Sequence, residues 1–165
     1  MRLLFQVFLL ASFAMWFGGF GFYASFVVPV GNATLGSFEQ ATVTRQVTVP
    51  LNWLGVLAGC LMLLDSISLF DSISSWKTKT KLAMRVQFWA ALFMLLMQAT
   101  LFWLHPQIDA YVDLEVREVV GDYDQFYWLH RVYLWTITLQ WVASWLWLFA
   151  YVASKRPLDK PFSKQ

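Results

Sequence analysis

Residues 82–104 read LAMRVQFWAALFMLLMQATLFWL, and Arg85 is the only charge among them. As a helix rising 1.5 Å per residue, such a run crosses a hydrocarbon core of about 30 Å. It is followed by His105-Pro106, and proline disfavours helix in the residue before it. The run is therefore expected to end near Leu104. Three more apolar runs lie along the chain, at about 3–28, 51–70 and 128–152. Pro50, just ahead of the second, suits the first turn of a helix. The first run follows a single Arg2 and resembles the start of a signal peptide, but it is too long for one and lacks a small-x-small cleavage site. It is read as a membrane span.

The composition agrees with four spans. Of 165 residues, 59% are hydrophobic and 13% charged, with a mean hydropathy of +0.53. A soluble domain carries about 25% charged residues. The ten tryptophans and six tyrosines suit a membrane–water interface, where the ring is buried and its polar edge stays wet. A single cysteine, Cys60, excludes an internal disulfide and a cysteine-based zinc site. It lies in an apolar run and is expected to be buried. A net charge of +2 is too small to indicate a nucleic-acid partner. The expected fold is all-α: one domain, 1–165, forming an integral-membrane antiparallel four-helix bundle in the lipid bilayer.

Lysines and arginines set an expected orientation. Arg2, Lys77, Lys79, Lys81, Arg85, Lys155, Arg156, Lys160 and Lys164 fall on one side, and Arg45, Arg117 and Arg131 on the other. The positive-inside rule then puts both termini in the cytoplasm, with a bacterial inner membrane as the expected location. Loops 29–50 and 105–127 face outward and form a cap. In the second, Ile108, Tyr111, Val112, Glu115, Val116 and Val119 recur at helical spacing before Gly121, which predicts a short amphipathic helix. The Asn32-Ala33-Thr34 sequon matters only in a eukaryotic secretory pathway, to which nothing else points.

Several residues could carry chemistry. Gly18, Gly21, Ala24 and Ser25 form a small-residue seam on the first helix. Such a seam packs inside the bundle, the commoner use, or makes a face for a protein partner or second copy through Gly18, Gly21 and Ser25. Asp65 falls one to two turns inside the hydrocarbon. An intramembrane carboxylate is costly and therefore a functional candidate. The structural alternative, which is preferred, pairs it with Arg85 or Lys81, or with the serines beside it. Gln98, Thr136, Thr138, Gln140 and Ser144 can bond across helices at about 0.6 kcal/mol each.

The only two histidines, His105 and His130, fall at the same outer level. With Asp109 they make a candidate metal set, and as a facing pair they could bind haem. No His-x-x-His spacing supports either reading. The alternative is a polar cap in which His130 and Arg131 pair with loop carboxylates, or with Glu39. No nucleophile–base pair or phosphate loop is present, and no cofactor is indicated.

FYASFVVPVGNATLGSFEQATVTRQVTVPLNWLG (22–55) and FYWLHRVYLWTITLQW (126–141) resemble a group of four-span bacterial membrane proteins of the planctomycete type. The resemblance covers about half the chain and implies no activity or cofactor. It does imply that Arg45, Asn52, His130, Arg131 and Gln140 form one polar cluster at the outer ends of the second and fourth spans. The function expected is that of a non-enzymatic membrane protein, either a small subunit or a binder of a hydrophobic or anionic small ligand. The alternatives are a metal- or haem-dependent membrane enzyme using His105 and His130, or a small transporter using Asp65.

Overall fold

The computed structural model describes residues 2–70, 78–113 and 118–155. Asp71, Glu115, Arg117 and most of the basic residues of the 71–80 connection and the tail lie outside what it describes.

Four long helical segments pack against one another. The first is α1 (Arg2–Phe22), a π-helical turn (Tyr23–Val27) and α2 (Val28–Leu35) in continuous sequence. Pro29 lies inside this continuous segment, directly after the π-helical turn, where its missing N–H interrupts the helical hydrogen-bond ladder. The chain reverses at Gly36, whose φ of +94° favours glycine. Then come α3 (Ser37–Phe70), α4 (Thr78–Asp109) and α5 (Tyr123–Lys155). All four segments are long and apolar enough to cross a membrane.

Two prolines that were expected to bound helices lie inside them, Pro50 in α3 and Pro106 in α4. Proline removes one N–H bond and kinks a helix, but packing can carry the helix through. Loop 29–50 is accordingly helical and forms an α2–α3 hairpin beyond the apolar spans. That end of the bundle is the cap end, and the end holding Arg2 and Lys155 is the basic end.

Among the described residues of the second loop the expected amphipathic helix does not form; Glu115 and Val116, on which it partly rested, lie outside them. Instead β1 (Val112–Asp113) and β2 (Glu118–Val119) form a minimal antiparallel ribbon, with Val112 opposite Val119. Alternating Val and charged residues suit a two-residue period as well as a helical one. Gly121 ends the ribbon at φ +87°. Asp122 then caps α5, its Oδ1 accepting from the backbone N–H of Asp124 (2.9 Å) and Gln125 (3.1 Å). The helix thus starts five residues before the apolar run that predicted it.

The core is assembled from Leu9, Phe13 and Trp16 of α1, Ala58 and Met62 of α3, Ala91 and Met94 of α4, and Ala143 and Trp147 of α5. Phe13 and Phe17 stack on Trp147 and Trp141. Close approach comes from Gly55 and Gly59. A Cβ at Gly55 would lie 2.3 Å from Gln98 Oε1, and one at Gly59 would lie 2.8 Å from Leu95. The Gly18/Gly21 seam does no such work, since a Cβ at either meets nothing within 4 Å. Ala24 and Ser25 are exposed too, so the expected packing of this seam inside the bundle is corrected. Cys60 is also exposed rather than buried.

The inside of the bundle is unusually polar. Ser12, Asn52, Asp65, Ser66, Gln87, Gln98, Thr136, Gln140 and Ser144 are all buried. The outside carries the large apolar side chains, including Trp53, Trp103 and Trp135, which are 62%, 64% and 68% exposed. These three lie near one level, because Asn52 contacts Tyr133 and Trp53 packs on Phe102.

Candidate functional site

The continuation of α3 and α4 past their prolines builds a cavity at the cap end. One more turn of α4 brings Asp109 onto the same face as His105, four residues earlier. The Asp109 carboxylate lies 3.6 Å from His105 Nδ1 and 2.9 Å from Arg45 Nε on α3. Arg45 and Asp109 are only partly covered (36% and 25% exposed), so this tie is screened and positions side chains more than it stabilises the fold.

Behind it, a hydrogen-bond network ties the π-helical turn to α3. Tyr23 Oη donates to Thr44 Oγ1 (2.9 Å), while Gln40 Nε2 donates to Tyr23 Oη and Thr44 Oγ1 (both 3.2 Å). Gln40 fits only because Gly31 has no side chain, since a Cβ there would sit 1.5 Å from Gln40 Oε1. The π-helical turn delivers Tyr23 into this network. Such turns often mark functional positions.

The resulting open cavity measures about 400 Å³. Arg45, Thr44, Thr48, His105, Asp109, His130 and Tyr133 contribute its polar groups, and Val28, Ile108, Phe126 and Leu134 are interspersed among them as apolar lining. His130 stacks on Phe126, with ring centroids 6.0 Å apart and planes 14° apart. Asn52 Nδ2 donates to Tyr133 Oη at 3.4 Å just below.

The five residues expected to cluster are therefore divided. Arg45 and His130 line the cavity, and Asn52 supports its floor through Tyr133. Gln140 lies two turns deeper on α5, donating through Nε2 to Gln98 Oε1 (2.7 Å) and the Met94 carbonyl (3.3 Å). Arg131 is exposed and makes no ion pair among the described residues. Successive helical residues point about 100° apart, so a helix that aims His130, Tyr133 and Leu134 at the cavity turns Arg131 away. The expected role of Arg131 as a staple to loop carboxylates is corrected; Arg45 holds the carboxylate instead. Asp122, one of the carboxylates of the 105–127 loop, accepts from the first backbone N–H groups of α5.

His105, His130 and Asp109 do share the cavity wall. Among the described residues, however, no group of three His, Cys, Asp or Glu side chains is close enough to hold a metal ion. Sequence reasoning missed Tyr133, Tyr23, Gln40 and the threonines of α3. Their signal was the four-residue spacing of Gln40, Thr44, Thr48 and Asn52, which is legible only if the helix runs through Pro50.

Asp65 departs from its expected partners. It is 4% exposed, and no cationic nitrogen lies within ion-pair distance among the described residues. Ser66 Oγ bonds the Met62 carbonyl, and Ser68 Oγ bonds the Asp65 backbone carbonyl rather than its carboxylate. Arg85 points outward along an apolar groove between α4 and α5. The charges that act on Asp65 are those of Lys155 and Arg2.

Compared with family models, curated proteins and solved structures, the chain matches none of them.

Proposed function

We propose that the chain is a multi-pass membrane protein whose antiparallel four-helix bundle binds a small amphiphile in the cap-end cavity, without catalysis. The membrane reading is supported by the distribution of polarity. Buried glutamines and serines with exposed apolar side chains suit a hydrocarbon solvent, where lipid takes the place of an apolar neighbour. The tryptophan level adds a measure. About 20 residues, or 30 Å, separate the two edges of the hydrocarbon. Counting that far from Trp103 along α4 arrives near Arg85 and Lys81, and from Trp135 along α5 at Lys155. Tryptophan at one edge and basic residues at the other is the pattern of a spanning bundle. The antiparallel reading rests on contact register: Gln98 meets Gln140, while Gln87 meets the Ala150 carbonyl. Both termini then lie on the basic, cytoplasmic side.

The observation that carries the ligand reading is the cavity itself. Its size is that of a small-molecule site, about 300–1,000 Å³. Its lining is mostly apolar, with donors and acceptors set among the apolar side chains. Arg45 is already neutralised by Asp109, so a headgroup with mixed donor and acceptor capacity fits better than a simple anion. The cavity lies within about two turns of the tryptophan level, at headgroup depth. The two histidines in the cavity wall are the observation that keeps a metal- or haem-dependent reading second.

Mass spectrometry of the solvent extract from protein purified in mild detergent tests this. One amphiphile at near-equal stoichiometry is expected from the wild type, and none from Thr48→Phe, which fills the cavity. A wild type that carries none, or a variant that retains it, contradicts the reading. Absorbance in the visible range and metal analysis of the same sample test the second reading.

A further inference from the structure

The interior face of α5 carries polar groups along its length, beside the apolar core that Ala143 and Trp147 help to form. Tyr133, Thr136, Gln140, Ser144, Trp147 and Tyr151 recur at three- and four-residue steps and so share one face. The facing helices add Asn52 and Asp65 from α3, and Gln87 and Gln98 from α4. This file runs from the floor of the cavity toward the basic end. Along it, buried polar atoms lack a hydrogen-bond partner among the described residues: Gln98 Nε2, Gln140 Oε1, Gln87 Oε1, Trp147 Nε1 and Asp65 Oδ2. A lone orphan is a packing cost; five along one seam mark a route in which bridging water has polar partners on either side. The file ends at Asp65, twelve residues or about 18 Å along α3 from the tryptophan level and so within hydrocarbon depth.

We propose that Asp65 is a proton-exchange site and that this buried polar file carries protons between it and the cap-end cavity. A proton enters from water in the cavity and passes between bridging waters that these side chains orient, each oxygen gaining one O–H bond as it gives up another. It binds the Asp65 carboxylate and leaves at the basic end, driven by the imposed gradient. Among the described residues, the charged and titratable groups that act on Asp65 are few. Arg2 faces it from α1, and Tyr151 and Lys155 face it from α5. The inward residues of α4 at this depth (Met84, Gln87, Ala90 and Ala91) do not titrate. A carboxylate in this position, unpaired and buried, needs a role beyond packing.

The proposal requires the spanning bundle argued above but not an occupied cavity. Vesicles containing the full chain and a pH-sensitive dye report proton entry under a potassium-diffusion potential. The wild type is expected to acidify the lumen faster than protein-free vesicles. Asp65→Asn is expected to fall to the protein-free rate, and Asp65→Glu to keep the flux. Gln140→Leu, which interrupts the file midway, is expected to lose it as well, and this variant carries the test if Asp65→Asn does not fold. Wild-type flux equal to that of empty vesicles, or undiminished flux in folded Asp65→Asn or Gln140→Leu, overturns the proposal. The amphiphile assay on the same Gln140→Leu protein separates this failure from failure of the ligand site.

Discussion

At the scale of residues, the interior depends on a few close contacts that size decides. Gly55 lies against Gln98 Oε1 and Trp16 Nε1, the point where three helices meet. Gly55→Ala forces these groups apart and is expected to cost about 1–3 kcal/mol, as overpacking does. Gly18→Ala meets open space and should stay within about 0.5 kcal/mol of the wild type. Unfolding both variants in mixed micelles compares them; equal costs would contradict the packing described. The sequence showed glycines at helical spacing, but spacing does not say which face of a helix a neighbour covers. For that reason the Gly18/Gly21 seam attracted the reading that belongs to Gly55 and Gly59. Gln98 and Gln140 were legible as polar residues in apolar helices. Their mutual bond was not, because it depends on the register between α4 and α5.

Helix ends decide the cavity. The apolar runs located all four helical segments, yet each segment extends past its run at the cap end. Proline rules are statements about local cost, and at Pro50 and Pro106 the surrounding packing outweighs that cost. The added turns carry Arg45, Thr44 and Asp109, so the site was only partly legible: its histidines were, while the carboxylate that orders it was assigned to a loop. Asp122 illustrates the same limit. Read as one more acidic residue in a charged loop, it is the cap that lets α5 begin five residues early. Asp122→Ala is expected to cost about 1 kcal/mol. Amide exchange should accelerate at Asp124 and Gln125 while the rest of α5 is unchanged. Exchange unchanged at both amides would show that the cap contributes nothing.

On the scale of the whole molecule, the claim that everything else requires is inversion: polar side chains inside, lipid outside. The chain offers a probe for it without any substitution. Cys60 is its only cysteine, and it is exposed on the outer surface of α3. It lies seven residues from Trp53, about 10 Å below the tryptophan level, a position that the proposed spanning bundle puts near mid-bilayer. A nitroxide attached to Cys60 in detergent, followed by reconstitution into vesicles, reads that position by collision with relaxing agents. The account predicts strong relaxation by oxygen, which concentrates in hydrocarbon, and almost none by a water-soluble nickel chelate. A label reached by the nickel chelate as readily as one on a surface loop would contradict it, and with it the spanning bundle.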